Sequence, residues 1–285
     1  MTVATTRIGP ATFAWGERTY VMGILNVTPD SFSGDGLLAA GDPVATAVAA
    51  ARRMVAEGAD ILDVGGESTR PGHAPVDAAD EIERVVPVIA AVRAALPGTP
   101  ISVDTTKIAV ADAAIGAGAD LINDVWGVGP DDSLARLAGV RHVPLVIMHN
   151  RIEPVYDDLM AEVVADLVAA VDRAVRLGVP REAVIVDPGF GFGKTAEHNL
   201  ALLRDLASLR AVQRPILLGA SRKSTLGKVL DLPADQRLEA TIATTTLGIA
   251  GGADVVRVHD VQANVRAARL TDAVVRGTWH PDPDS

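Results

Sequence analysis

Short apolar runs alternate with longer stretches of helical periodicity along the whole chain. Eight runs read as strands: 21–26, 61–65, 101–104, 121–124, 144–149, 184–187, 216–219 and 255–259. Most are apolar on consecutive residues, the pattern of parallel strands covered on both faces. Between them lie amphipathic stretches. In 43–58, Val44, Ala47, Val48, Ala51 and Val55 share one helical face, and in 158–178 Leu159, Val163, Leu167, Ala170 and Ala174 do the same. In 80–96 the spacing Ile82, Val85, Val86, Ile89 continues through Pro87, so a kinked helix is predicted rather than a broken one. A short signature recurs as Gly58-Ala59-Asp60, Gly118-Ala119-Asp120 and Gly252-Ala253-Asp254, each closing a helix ahead of a strand. Its glycine suits a left-handed helix cap. Eight strand–helix units with no composition break predict one closed (β/α)8 TIM barrel over residues 1–285, with an open doubly wound sheet as the alternative. Residues 1–20 fall outside the repeat and read as an N-terminal hairpin across the barrel floor, and 281–285 as a loose polar tail.

Composition narrows the function classes. The 285 residues are 48% hydrophobic and 3% aromatic, a globular profile rich in helix. No run reaches membrane-spanning length and no signal-peptide pattern opens the chain. There is no cysteine, which excludes disulfides, thiolate zinc sites and a cysteine nucleophile and suits a cytoplasmic location. The formal net charge of −10 argues against a nucleic-acid surface. An anionic substrate stays open, because a few cations gathered in one pocket can hold a phosphate.

In such a barrel the active site lies at the C-terminal strand ends. Those ends carry Asn26, Gly65 to Arg70, Asp104, Asn123-Asp124, Met148-His149, Asp187, Ser221-Arg222-Lys223 and Arg257-Val258-His259-Asp260. Any one of them alone is an ordinary loop residue or helix cap. Together they describe a pocket of buried polar groups that need partners, suited to a polar heterocycle. Lys223 can donate to a ring carbonyl or nitrogen, Arg257 can stack on a flat ring, and His259 and Arg70 suit anionic oxygens. No H-E-x-x-H and no Ser-His-Asp arrangement is legible. His73, His142, His198 and His280 read as surface or structural residues.

The stretch D-P-G-F-G-F-G-K-T at 187–195 ends like a phosphate-binding loop, G-x-x-x-x-G-K-S/T. The template's first glycine falls on Pro188, which has no N–H for a phosphate. Asp187 then stands as a polar residue at a strand end, the glycines allow a sharp turn, and Lys194 reads as a surface residue at the start of the next helix.

These motifs resemble one known family. M-G-I-L-N-V-T-P-D-S-F-S (22–33) and D-V-G-G-E-S-T-R-P-G (63–72) are similar to signatures of the dihydropteroate synthases, as are V-D-T (103–105), N-D-V (123–125), M-H-N (148–150), 187–195, G-A-S-R-K-S (219–224) and R-V-H-D-V (257–261). The resemblance covers nearly the whole chain in order. It implies a TIM barrel in which para-aminobenzoate displaces pyrophosphate from 6-hydroxymethyl-7,8-dihydropterin diphosphate, giving 7,8-dihydropteroate for folate synthesis. It implies a pterin pocket of Asp104, Asn123, Val125, Met148, Asp187, Phe192, Gly219, Lys223 and Arg257. Asn26, Arg70 and His259 would meet the diphosphate, with Mg2+ on Asn26. Phe32, Thr69, Pro71 and Ser224 would shape the aminobenzoate site. Catalytic roles would fall to Asp35, Arg70, Lys223 and Arg257. Sulfonamide binding and a homodimer joined near 234–276 are further family expectations.

One departure stands out. The family pattern after S-F-S is D-G-G, whereas this chain has Gly34-Asp35-Gly36, so the acidic residue of the first loop is displaced by one. The glycines suit a loop that orders over substrate. Two other readings are a pterin-binding methyltransferase domain, which should lack the S-T-R-P and S-R-K-S motifs found here, and an inactive pterin-binding paralogue.

Overall fold

Each apolar run becomes a parallel strand, and together they form a ring. The computed structural model describes residues 5–28, 42–67 and 76–279. Strands β1 (Thr6–Ile8) and β2 (Ala11–Phe13) pair antiparallel with Thr6 opposite Phe13, which is the expected hairpin. The barrel strands are β3 (Tyr20–Asn26), β4 (Ile61–Gly65), β5 (Ile101–Asp104), β6 (Leu121–Asp124), β7 (Leu145–Met148), β8 (Val184–Asp187), β9 (Leu217–Leu218) and β10 (Val255–Val258). Their order is β8-β7-β6-β5-β4-β3-β10-β9. A parallel bridge between Val186 and Ile216 joins β8 to the chain just ahead of β9, and Val186 N–H donates to Pro215 O at 2.9 Å. That contact closes the ring, as the eightfold repeat predicts. β9 is shorter than the expected 216–219, with Leu217 and Leu218 alone pairing with β10.

The helices are α1 (Pro43–Ala56), α2 (Ala78–Ala95), α3 (Ile108–Ala117), α4 (Ser133–Arg141), α5 (Leu159–Arg176), α6 (Ala196–Arg204), α7 (Ser224–Leu230), α8 (Leu238–Gly251) and α9 (Val261–Val275). Local chemistry starts several of them. Asp42, Asp77 and Asp158 each accept a backbone N–H from the first turn of α1, α2 and α5. α2 runs through Pro87 without a break.

Side chains alternate across every strand, so the barrel has two apolar cores. Leu62, Val64, Val103, Ile122, Ile147, Val186 and Val256 face the helices. Met22, Ile61, Leu121, Val146, Ile185, Leu217 and Val255 face inward and meet Ile8, Phe13 and Trp15 of the hairpin region. The hairpin therefore plugs the barrel floor. Trp15 stacks on Phe13 at 5.5 Å between ring centroids, and its indole N–H donates to Thr6 Oγ1 at 2.8 Å.

The recurring G-A-D triplets do more than turn the chain. Gly58, Gly118 and Gly252 all have left-handed φ, near +104°, +116° and +107°, as expected of helix-ending glycines. The aspartates then fasten the start of the neighbouring strand. Asp60, Asp120 and Asp254 accept the backbone N–H of Val21, Ile101 and Ile216 at 2.8, 2.9 and 3.0 Å. Each also donates its own N–H to the carbonyl of that same residue. One residue type at one place thus pins three strand pairs at the lower end of the barrel.

Candidate active site

The period of two that puts Ile61, Leu121, Ile185, Leu217 and Val255 inside the floor also aims Gly65, Asn123, Asp187, Gly219 and Arg257 inward at the opposite end. Strand register then gathers them. Asn26 pairs with Gly65, Gly65 with Asp104, and Asp104 with Asn123, in one continuous line across four strands. Met148 lies opposite Asp187 on the next pair. Val125, Met148 and Gly219 are buried beside these groups. A β carbon on Gly219 would sit 3.8 Å from both Arg257 and Asp187 Oδ2, so this position opens directly into the polar cluster.

At the centre lies one cation between two buried carboxylates. Arg257 Nε donates to Asp63 Oδ2 and its Nη2 to Asp104 Oδ2, each at 2.6 Å. Asn123 Nδ2 also donates to Asp63 Oδ2, at 3.2 Å. Four buried side-chain oxygens have no partner among the described residues: Asp63 Oδ1, Asp104 Oδ1, Ser102 Oγ and, on α2, Glu81 Oε1. Burial outweighs the attraction of Arg257 at Asp104, with Asp63 and Glu81 adding repulsion, and pushes its pKa up to about 7. The Arg257 guanidinium is held charged against its own burial by Asp63 and Asp104, which raise its pKa further. A single guanidinium cannot neutralise both carboxylates, so the pocket keeps unmet capacity to bind donors. Asp63 was not among the expected site residues. Its signal was present: an ionisable residue in the middle of an apolar parallel strand needs a buried partner.

The second half of the site hangs on the loop after β8. Asp187 Oδ1 accepts the N–H of Gly189 at 2.7 Å, and burial raises the Asp187 pKa although Lys223 and that backbone bond oppose it. Lys223 Nζ donates to Phe190 O and lies 4.3 Å from the centre of the Phe192 ring. Burial lowers the Lys223 pKa to about 8, against the pull of Asp187. Gly189, Gly191 and Gly193 all have positive φ, so the sharp turning expected of this stretch is real. The reading of Lys194 as a surface residue is corrected. Its Nζ bonds His149 Nδ1 at 3.0 Å and donates to Phe192 O at 3.1 Å. Local sequence could not show this, because the partner lies on another strand.

The other expected residues are distributed around this centre. Asn26 is half-buried at the end of β3, and Ser224 is exposed at the first residue of α7. His259 Nδ1 meets Ser221 Oγ at 2.9 Å, and Arg222 is paired with Asp260 at 2.6 Å. His198 and His142 are structural, as expected: one forms a capping box with Thr195, the other is the left-handed cap of α4. Phe32, Asp35, Thr69, Arg70, Pro71, His73 and His280 lie outside the described residues, as do residues 1–4 and the tail 281–285. Among the described residues no three or more His, Asp or Glu side chains are grouped to hold a metal, and no helix is long and apolar enough to cross a membrane.

A closed barrel whose mouth gathers buried carboxylates, an amide, an arginine and a lysine matches a known class: residues 22–259 fit the family of pterin binding enzymes. The chain is 49% identical to the dihydropteroate synthase of Clostridium beijerinckii over 95% of this chain and 99% of that protein. It superposes with a TM-score of 0.88 on the Clostridium difficile dihydropteroate synthase solved in the presence of pteroic acid, at 48% identity over 93% of this chain and 99% of the other. The Xanthomonas albilineans dihydropteroate synthase with 4-aminobenzoic acid gives 0.88 at 40% identity, covering 95% and 98%. The chain belongs to the pterin binding enzymes and, within them, to the dihydropteroate synthases.

Proposed function

We propose that this chain joins para-aminobenzoate to 6-hydroxymethyl-7,8-dihydropterin diphosphate, releasing pyrophosphate and forming 7,8-dihydropteroate. The observation that carries the reading is the set of acceptors around Arg257, with Asp104 Oδ1 and Asp63 Oδ1 buried and without a partner among the described residues. A pterin edge offers ring N–H and amino donors that match such oxygens. Asp187 and Asn123 extend the same recognition, and Lys223 donates to the ring carbonyl or a ring nitrogen. Phe192, Met148, Val125 and Gly219 shape the apolar walls.

The reaction follows from positioning. The neutral aniline nitrogen attacks the methylene carbon, the carbon–oxygen bond to the diphosphate breaks, and its electron pair leaves with pyrophosphate. The amine proton passes to solvent. An electron-rich dihydropterin stabilises positive charge developing at the methylene, so no strong base is required. The protein holds the ring rigid and aligns the two reactants. Asn26 and His259 face the diphosphate, joined by Arg70. Ser224 with Phe32, Thr69 and Pro71 receives the aminobenzoate, and Asp35 serves the first loop.

Asn26 offers one hard oxygen donor, and the described residues lack a metal cage. That donor set fits Mg2+ arriving with the diphosphate, because this ion keeps most of its waters and takes few protein ligands. When bound, Mg2+ supplies positive charge to the leaving group.

The reading also includes a cytoplasmic homodimer open to sulfonamides. Exposed Leu247 of α8 and Leu270 and Val274 of α9 support the dimer, and a Yersinia pestis relative was solved as a sulfonamide drug complex. A monomer by light scattering at assay concentration contradicts the dimer. The activity itself is tested by mixing purified protein with both substrates and Mg2+ and measuring pyrophosphate. Stoichiometric release with dihydropteroate is expected. Pterin binding without turnover establishes the inactive paralogue instead.

A further inference from the structure

Behind the pterin pocket, on the helix-facing side of β7 and β8, lies a second polar chain, fully buried at His149 and half-buried at Asp166 and Lys194. Met148 points into the barrel, so the next residue, His149, points away from it, and it is fully buried. Its Nε2 meets Asp166 Oδ2 of α5 at 3.2 Å. Its Nδ1 meets Lys194 Nζ at 3.0 Å. An ionised carboxylate only accepts, so Nε2 carries the ring proton and Nδ1 accepts from Lys194. Lys194 in turn donates to Phe192 O at 3.1 Å. Asp166 is held a second time by Arg151 Nη2 at 2.8 Å.

This chain ends on the loop that carries the pocket wall. Three successive supports grip carbonyls of that loop: Lys223 at Phe190 O, Lys194 at Phe192 O, and Tyr156 Oη at Gly193 O. The loop is also pressed between its neighbours. A β carbon on Gly189 would fall 1.8 Å from His149 O, one on Gly193 2.4 Å from Arg151 O, and one on Gly191 2.8 Å from Lys223 Cδ. Movement at residues 149–151 is therefore transmitted to Lys223. A surface lysine or a water could satisfy one loop carbonyl at little cost. This amine is instead half-buried and bonded to a fully buried imidazole; its desolvation lowers its pKa to about 7, with Asp187 opposing and Lys223 and Arg151 reinforcing the shift. Holding an amine against a buried imidazole and away from much of its water is a cost that loop capping alone does not explain.

We propose that Lys194 is a positioning residue for pterin recognition, coupling Asp166 and His149 to the loop so that Phe192 and the Phe190 carbonyl hold Lys223 at the pocket. The inference rests on the reading that Lys223 contacts the pterin. It assigns no substrate contact to Lys194 itself.

Two variants test it in the full-length protein, Lys194→Met and Asp166→Asn. Met keeps the length of the side chain but donates nothing. Asn keeps an oxygen that can accept from both His149 and Arg151, which meet the same Oδ2, but it loses the charge that strengthens those bonds. Lys194→Met should raise KM for the pterin diphosphate about tenfold, the size of one lost hydrogen bond. KM for para-aminobenzoate and kcat should stay within about twofold, less than one weak hydrogen bond. Asp166→Asn should shift the same constant in the same direction by a smaller factor. A purely structural role would lower thermal stability and move both Michaelis constants together, which overturns the proposal. So does a pterin KM at the parental value in either variant, and if Lys194→Met fails to fold, Asp166→Asn decides alone. Failure of the unmodified protein to bind the pterin would overturn the parent reading together with this one.

Discussion

The two ends of the barrel are built from the same strands and face opposite tasks. At the floor, Met22, Ile61, Leu121 and Val255 close on Ile8, Phe13 and Trp15, and the G-A-D aspartates satisfy the strand starts with hydrogen bonds. At the mouth, two residues further along the same strands, the inward positions become Asp63, Asn123 and Arg257, with acceptors left unmatched among the described residues. An aspartate is present at both ends, yet its meaning differs. Asp120 has its bonds made by Ile101 and Arg93. Asp104 has one oxygen spent on Arg257 and one spare. A half-buried carboxylate with its bonds made stabilises the fold, and a buried one with an oxygen to spare keeps recognition capacity for a ligand.

Breaking each end should therefore produce separable losses. The largest expected effect is at the floor. Trp15→Ala removes a side chain that is 3% exposed, and should cost about 3–5 kcal/mol of stability, read as a fall in denaturant midpoint, with pterin KM unchanged in the folded fraction. Asp187→Ala at the mouth should do the reverse. Pterin affinity should drop about a hundredfold, roughly 2.7 kcal/mol, with the midpoint near the parental one. Smaller again is Asp120→Ala. It orphans the Ile101 N–H and should cost about 2 kcal/mol of stability while leaving both Michaelis constants alone. If Asp120→Ala weakened pterin binding without loss of stability, the division between the two ends would fail.

Much of this architecture was legible in the sequence because it depends on local pattern. The boundaries expected for 61–65, 101–104, 121–124 and 184–187 are those observed, since consecutive apolar residues flanked by Gly and Asp leave little choice of register. The hairpin was legible as a segment outside the repeat. Asp104, Asn123, Asp187, Lys223 and Arg257 were legible as strand-end residues, and the fold brings them to one mouth. What escaped is non-local. Asp63 shows its role only when Arg257 arrives from a strand 194 residues away. Lys194 looked like the start of a helix because its partner His149 is 45 residues distant. The fastening role of the G-A-D aspartates escaped too, because the N–H groups they accept belong to the preceding unit of the repeat.

The central claim is that the mouth recognises the pterin through buried carboxylates whose charge the protein itself opposes. Asp104 carries the sign. Its pKa stands at about 7 against an ordinary 3.8, so the folded protein holds this proton more tightly than the unfolded chain. That contribution to stability is fully present below 3.8 and is lost as pH rises through about 7. Asp104→Asn should therefore gain thermal stability relative to the parent between pH 5.5 and 8, while Arg257 keeps Asp63 as partner. Ligand binding runs the other way, because ring donors need the ionised oxygen. The direct measurement is calorimetric titration of 6-hydroxymethyl-7,8-dihydropterin, which lacks the diphosphate and its own titration, across that pH range. In the parent, affinity should rise as pH approaches about 7, and in Asp104→Asn it should be weak and lack that rise, leaving only the decline as Lys223 nears its own pKa of about 8. Equal pH dependence in the two proteins would contradict the account.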